Sequence, residues 1–310
     1  MKKPIKRVSS IITQNIQKKL LYTFFVGLTA TFSYCQTNEN VYQVTNKNVK
    51  IKIDANTGAR ITSLTYDGNE ILKQAADSLP NFGSTLWPAP QNEWGWPPYY
   101  SLHKGAYKVE KSKANYAFES EVDTTSSLQM IKKFEKGDSK NALKLAYELI
   151  NKGKETVKNG PWEVTVVPYG GMSFFRKETD PLSRSSLSAK ETLGITYVIH
   201  DERYQGKQKL FGFTKGGWLA HVNASGLLFI KKMKDLTPSQ IAPNHGEIEI
   251  FMNTELQYIE LENHGKYSTL ATNEKVDYDV TWIVLPLPKE IPSNKISTEL
   301  IDFVEKTVSH

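Results

Sequence analysis

Residues 256–262 read LQYIELE. In an extended chain successive side chains point to opposite sides, so Ile259 and Leu261 share one face while Tyr258, Glu260 and Glu262 share the other. The same period of two recurs on either side of this stretch. Ile248 and Ile250 alternate with Glu247 and Glu249, and Tyr278, Val280, Trp282 and Val284 alternate with Asp279 and Thr281. Near the start, Val49, Ile51 and Ile53 alternate with Lys50 and Lys52. Residues 227–230 form a short continuous apolar run, the pattern of a strand buried on both faces. Turn chemistry separates the runs at Asp67-Gly68, Lys152-Gly153, Asn159-Gly160-Pro161, Gln205-Gly206 and Gly216-Gly217. Helical spacing is confined to the end, where Ile296, Leu300, Ile301, Val304 and Val308 line up as an apolar stripe. The expectation is an all-β chain, a large antiparallel sandwich over residues 36–290, with a short helix within 291–310 packed on it. The longest loops fall at 176–192 and 231–247.

The first 35 residues stand apart. They carry Lys2, Lys3, Lys6, Arg7, Lys18 and Lys19 and no acid, followed by the apolar run LLYTFFVGLTATF at 20–32. That run has the length of a signal-peptide core and is short for a membrane span. Ser33 and Cys35 offer small residues for cleavage before Gln36; lipidation of Cys35 is the alternative, with Tyr34 a poor neighbour for it. The expectation is therefore an exported protein, periplasmic or secreted, with no membrane span after cleavage. Six of the 39 basic residues lie in this segment, so 33 remain against 33 acidic ones. Near-zero net charge argues against nucleic acid as a partner. The only cysteine is Cys35, so the exported chain would fold on its core without disulfides.

Residues 86–100 read LWPAPQNEWGWPPYY and hold three of the six tryptophans among four prolines. Proline fixes φ and lacks an N–H, which predicts neither a regular helix nor a central strand here. Aromatic faces held this stiffly lose little freedom on binding. With Asn92 and Glu93 between them, Trp87, Trp94 and Trp96 suit a ligand of apolar C–H faces and hydroxyl edges, a sugar. A lid that plugs one end of the sandwich is the competing reading, because aromatics supply large buried area wherever they sit.

Glu260 and Glu262 stand about 7 Å apart on one face of a strand, a spacing that acid–base chemistry at a sugar could use. A solvated outer face is the ordinary alternative for strand glutamates. Asn-His-Gly occurs at 244–246 and again at 263–265. Each is first of all turn chemistry, yet His245 and His264 both lie two residues from a glutamate and could serve as its proton partner. No H-x-H, H-E-x-x-H or cysteine pair supports a metal site, and no glycine-rich loop supports a cofactor, so neither is expected.

Several of these segments together resemble known proteins. Gly58 to Leu64, GARITSL, followed by DGNEIL at 67–72, resembles the opening hairpin of galactose-mutarotase-like (aldose 1-epimerase-like) proteins. Leu261-Glu262-Asn263 with the strand over 278–285 resembles their C-terminal part. LWPAPQNEWGWPP, Pro161-Trp162-Glu163-Val164-Thr165, Gly216-Gly217-Trp218-Leu219-Ala220 and Tyr258 to Glu262 resemble a bacterial family of that superfamily, DUF4380, over roughly residues 40–288. The resemblance implies a β-supersandwich with a concave carbohydrate-facing groove and makes Glu262 the counterpart of the mutarotase general base. Mutarotation also needs an acid, which in mutarotases is a mid-chain histidine. The stretch here from Trp162 to Gly171 has none; Tyr169, Glu163, His245 and His264 are the candidates to replace it. The usual Asn-Arg pair of the sugar pocket also lacks a counterpart. The expected activity is carbohydrate binding, with Glu163 and Glu260 among the substrate contacts and epimerisation through Glu262 as the leading chemistry. A non-catalytic glycan-binding module and a glycan hydrolase or lyase are the alternatives.

Overall fold

The computed structural model describes residues 40–309 except 77, 113 and 114. The expected export signal over residues 1–35, with Cys35, lies outside the described residues. Asp67 and Gly68 take φ of 47° and 82°, the two left-handed positions that a type I′ hairpin turn requires, and they join the strand Arg60–Tyr66 to Asn69–Glu70. Leu193 and Gly194 form the same kind of turn between Lys190–Thr192 and Ile195–Ile199, and every strand pairing among the described residues is antiparallel.

The strands form two ten-stranded sheets. The main path of the first runs Val41–Asn46, Val49–Asp54, Arg60–Tyr66, Ser84–Ala89, Val157–Pro168, Tyr258–His264, Ile248–Asn253 and Lys207–Gly212. At the centre of the second, Trp218–Val222, Leu227–Lys232, Lys275–Pro286 and Ala142–Asn151 lie side by side. Alternation places the inner faces against each other. Leu261 and Ile259 join Trp282, Val280 and Ile230 in one buried apolar cluster. Strand Leu227–Lys232 is buried along nearly its whole length, as its continuous apolar run requires.

The inner space also holds charge. Glu163 and Lys231 are both fully buried and paired at 2.9 Å across the two sheets. Trp282 Nε1 donates to Glu163 Oε1 at 3.0 Å, and Lys231 Nζ donates to Thr165 Oγ1 and to the Leu261 carbonyl. A pair removed from water in this way holds only when such added hydrogen bonds satisfy it.

The C-terminal helix is Thr298–Ser309, with Leu300, Ile301, Val304 and Val308 buried in the same cluster. Ile296 precedes the helix and packs on the same cluster from outside it. No helix among the described residues is long and apolar enough to cross a membrane.

One expectation fails at the tryptophan–proline stretch. Ser84–Ala89 is a strand inside the first sheet, with Trp87 opposite Trp162 and Pro88 opposite Pro161. Two prolines can face each other because a non-hydrogen-bonded pair asks neither for an N–H. On its other side this strand pairs with Arg60–Tyr66 only at Ser84, so beyond that point its outer edge makes no ladder. Proline is tolerated at an edge of this kind.

Candidate functional site

The outer face of the first sheet carries the chemistry. Register aligns Glu262 with Glu249 and Glu260 with Phe251 on one side, and His264 with Trp162 on the other. Lys209, opposite Phe251, comes from the neighbouring strand, and Trp87, opposite Trp162, from the far side. Every one of these residues lies on the same face by alternation, although they come from five strands spread over 180 residues of chain.

Lys209 Nζ lies 2.6 Å from Glu249 Oε2 and 2.9 Å from Glu262 Oε2, above the Trp162 ring at 5.1 Å. Trp162 Nε1 donates to the same Glu262 oxygen at 2.8 Å. Burial raises the Glu262 carboxyl well above the ordinary range; Lys209 opposes this, while Glu249 and Glu260 reinforce it. Burial also works against the Glu249 charge, but Lys209 and His264 close by, with a hydrogen bond from His245, outweigh it and hold that carboxyl well below its usual value. Within the aligned pair the surroundings thus favour the charged form at Glu249 and disfavour it at Glu262. Glu262 Oε2 accepts from both Lys209 and Trp162, while Oε1 meets no partner among the described residues.

His245 and His264 converge on Glu249. His245 Nδ1 is 2.8 Å and His264 Nε2 3.2 Å from Oε1, which also accepts from Gly246 N–H. The His264 ring stacks on Trp162, and burial lowers it to about 4. These two histidines and Glu249 bring three donor atoms within 4.8 Å of one another, the makings of a metal site. The hydrogen bonding does not fit one. Gln91 N–H donates to His245 Nε2, so Nδ1 carries the ring proton and offers it to Glu249 rather than a lone pair to an ion. His264 Nδ1 meets no partner among the described residues, whereas a metal-bound histidine is almost always oriented through its second nitrogen.

Beside this network a cavity of about 370 Å³ opens to solvent, lined by Trp87, Trp96, Trp162, Phe251, Tyr258, Pro80, Asn81, Gln91, Glu260, Lys207 and Lys209. Glu260 is its acid. Asn81 Nδ2 donates to Glu260 Oε1 at 3.1 Å, and Asn81 Oδ1 accepts from Arg60 at 2.8 Å, so the amide is fixed from both ends. Burial raises the Glu260 carboxyl, opposed by Lys209, Asn81 and Arg60. Arg60 and Trp87 Nε1 both meet His103 Nδ1, and burial with Arg60 nearby lowers that imidazole to about 2. The wall is a polar chain, Trp87–His103–Arg60–Asn81–Glu260, that holds an indole face and a carboxyl group in fixed positions.

The sequence-derived candidates divide by face. Glu260, Trp87 and Trp96 line the cavity. Glu262, His245 and His264 lie on the same sheet face but beneath it; Glu262 has no exposed surface, covered by Lys209 and Trp162. Trp94 is half-buried against Trp87 and Trp162, with its Nε1 on the Pro88 carbonyl. Asn92 and Glu93 sit on the short 3-10 turn Gln91–Glu93, outside the cavity lining; burial raises Glu93, which accepts from Asn159 at 3.4 Å. Two residues face the other way. Glu163 points between the sheets to Lys231, and Tyr169, of the same parity, donates to the Asp201 carbonyl. Neither reaches the cavity, because a one-residue step along a strand reverses the face.

Sequence reading missed Lys209, Trp162, Asn81 and Gln91. Nothing marks Lys209 among 39 basic residues. Trp162 did carry a signal, since it lies in the motif Pro161 to Thr165 one residue before Glu163 and so on the opposite face.

Comparison with known proteins follows the fold. The chain superposes on a TPR-domain containing protein from Parabacteroides distasonis with a TM-score of 0.59 at 17% identity, over 82% of this chain and 48% of that one. It thus spans about half the length of that protein. A galactose mutarotase related enzyme from Lactobacillus acidophilus gives a TM-score of 0.58 at 10% identity over 81% and 99%. A galactose mutarotase-like protein from Lactobacillus casei gives 0.56 at 10% over 79% and 100%. The architecture is that of the galactose-mutarotase-like β-supersandwich. Among curated proteins a sequence search finds no match. The family described as Domain of unknown function (DUF4380) matches residues 43–285, and the chain belongs to it.

Proposed function

We propose that the protein is exported and binds a carbohydrate in the cavity beside Glu260. The observation that carries this reading is the lining itself: Trp87, Trp96, Trp162 and Phe251 supply apolar faces, while Glu260, Asn81 and Gln91 supply hydrogen-bonding edges. Sites of this size commonly combine mostly apolar walls with a few convergent polar groups. The fold shared with mutarotase-like proteins agrees with it. Isothermal titration with a panel of aldoses and oligosaccharides tests the reading, alongside Trp96→Ala and Glu260→Gln. Binding to the unaltered protein that weakens in both variants is the expected result. No heat from any sugar, with tryptophan fluorescence equally flat, would remove it. Export rests on the basic start and apolar run of the first 35 residues. The mature protein is expected to begin at Gln36, and intact Met1 on all of the protein recovered would refute export.

One observation favours a second reading, sugar epimerisation. Glu260 presents a carboxyl to the cavity with its pKa raised by burial, which suits a group that takes a proton and returns it. Glu262, the counterpart of the mutarotase base, lies behind Lys209 and Trp162. Anomer exchange followed by NMR separates the two carboxyls: loss in Glu260→Gln assigns the role to the cavity residue, loss only in Glu262→Gln to the covered one. Equal rates in all three proteins remove the epimerase reading and leave binding.

A further inference from the structure

Five large aromatic side chains lie between Trp87 and Tyr100, and the structure treats them unequally. Trp87, Trp94 and Tyr99 are seated: the first two hydrogen-bond through their indole N–H groups to His103 and to the Pro88 carbonyl, and Tyr99 packs against the main core. Trp96 and Tyr100 are not. They are 52% and 72% exposed, and they are the only aromatics among the large exposed hydrophobic residues of the described chain. Neither the Trp96 N–H nor the Tyr100 hydroxyl meets a protein partner among the described residues, whereas buried indoles and phenols ordinarily find one.

Their exposure does not come from slack backbone. Pro97 and Pro98 stand between them, fixing φ at two consecutive positions. On the far side the helical turn Tyr100–His103 is anchored by buried Leu102 and His103. The Leu102 carbonyl accepts from the Tyr107 hydroxyl, and Gly105, whose N–H donates to the Tyr100 carbonyl, accepts from Gly58 N–H. His103 links the two aromatics: its ring lies 6.3 Å from Trp96 and one helical turn from Tyr100. Trp96 walls the cavity of about 370 Å³, and Tyr100 walls a second hollow of about 400 Å³ with Ser101, Lys108 and Glu121 as polar neighbours.

We propose that the cavity is the first subsite of a longer track whose second subsite is Tyr100 and the hollow beside it, so that the ligand is an oligosaccharide rather than a single sugar. The proposal rests on the carbohydrate reading above and deepens it. Four residues of chain reach at most about 14 Å, so the backbones that carry the two aromatics lie within a span that one extended glycan can bridge. Prefixed aromatic faces suit a chain whose every ring has an apolar side, because little order is lost on contact. The hollow at Tyr100 adds hydroxyl partners, since the ion pair of Lys108 and Glu121 there is exposed.

An array of linear neutral and acidic glycans of one to six units, probed with the unaltered protein, tests this. Calorimetry then compares the monosaccharide and the hexasaccharide of the strongest series, using Trp96→Ala, Tyr100→Ala and Tyr100→Phe. The hexasaccharide is expected to bind at least tenfold more tightly than its monosaccharide. Tyr100→Ala is expected to lose about tenfold on the hexasaccharide, the scale of one aromatic contact, with the monosaccharide unchanged. Tyr100→Phe should keep most of the affinity, and Trp96→Ala should weaken both ligands. Equal affinity for one and six units overturns the extended track and leaves the carbohydrate reading standing. So does a Tyr100→Ala effect on the monosaccharide, which would place Tyr100 in the support of the cavity. Silence across the whole array overturns both.

Discussion

Replacing Lys209 with methionine removes the cation held between Glu249 and Glu262 while keeping most of the side chain's volume. Glu249 has no exposed surface and Lys209 is 22% exposed, so the pair is largely cut off from water. Taking one partner from a buried ion pair costs about 3–5 kcal/mol, because the remaining charge is stranded. The lower end applies here, since His245 Nδ1 and Gly246 N–H still reach the Glu249 carboxylate. A loss of about 3 kcal/mol lowers Tm by roughly 6–12 °C in a domain of this size. The effect also depends on pH in a definite direction. With Lys209 present, Glu249 titrates below the unfolded carboxyl, so its stabilisation is in place above about pH 4.3 and fades as pH falls through the folded value. In the variant, burial loses its main opponent and a charged Glu249 becomes a cost. The gap between the two proteins is therefore expected to widen from pH 4 to pH 8. Urea unfolding across that range measures it, and Lys209→Met combined with Glu249→Gln should recover part of the loss. A single-variant loss below about 1 kcal/mol at pH 7, or a gap independent of pH, would refute the assignment of charge to Glu249.

Acidification is expected to destabilise the protein between pH 6.5 and pH 4. His221, lowered by burial to about 4, and His264, lowered likewise to about 4, bind protons in the unfolded chain before the folded one. Their stabilisation is complete above pH 6.5 and lost as pH falls toward 4; Glu247, raised by burial to about 7, partly offsets this. A Tm series in that window should fall with acid and fall less steeply in His221→Asn; an identical slope in the two proteins would count against it. Lys231→Met should cost about 3–5 kcal/mol by leaving Glu163 charged between the sheets, and adding Glu163→Gln should return much of it. Chemical denaturation would show this, with additive losses telling against a shared pair. Gly171→Ala is expected to cost more than about 1 kcal/mol, since the residue takes φ of 76° and a Cβ there would lie 2.1 Å from the Val222 carbonyl oxygen. An unchanged midpoint would mean that the turn can shift.

The β-class and the face assignments were legible because strand alternation is local. Ile259 and Leu261 go inward and Glu260 and Glu262 outward as the letters say. What the letters could not say is how deep an outer face lies. Glu262 reads as either solvated or catalytic, and it is covered instead, because Lys209 and Trp162 arrive from strands that begin about 50 and 100 residues earlier. Glu163 failed for a simpler reason: proximity in sequence to a site residue, here Trp162, guarantees the wrong face of a strand. The proline stretch misled through a rule about central strands. That rule assumes a ladder on both sides, and past Ser84 this strand has one.

That half-paired strand has a bearing on how the protein survives at high concentration. An unpaired strand edge left exposed is a template on which another chain can build a sheet, and here burial closes it: every residue of Ser84–Ala89 is buried. At position 88 the edge has nothing to offer: proline brings no donor, and its carbonyl already accepts from the Trp94 indole at 2.8 Å. The opposing proline at 161 fixes this arrangement from within the sheet. The residues that shape the cavity wall thus also close the half-paired strand: Trp94 caps the Pro88 carbonyl, and all six strand residues are kept from solvent.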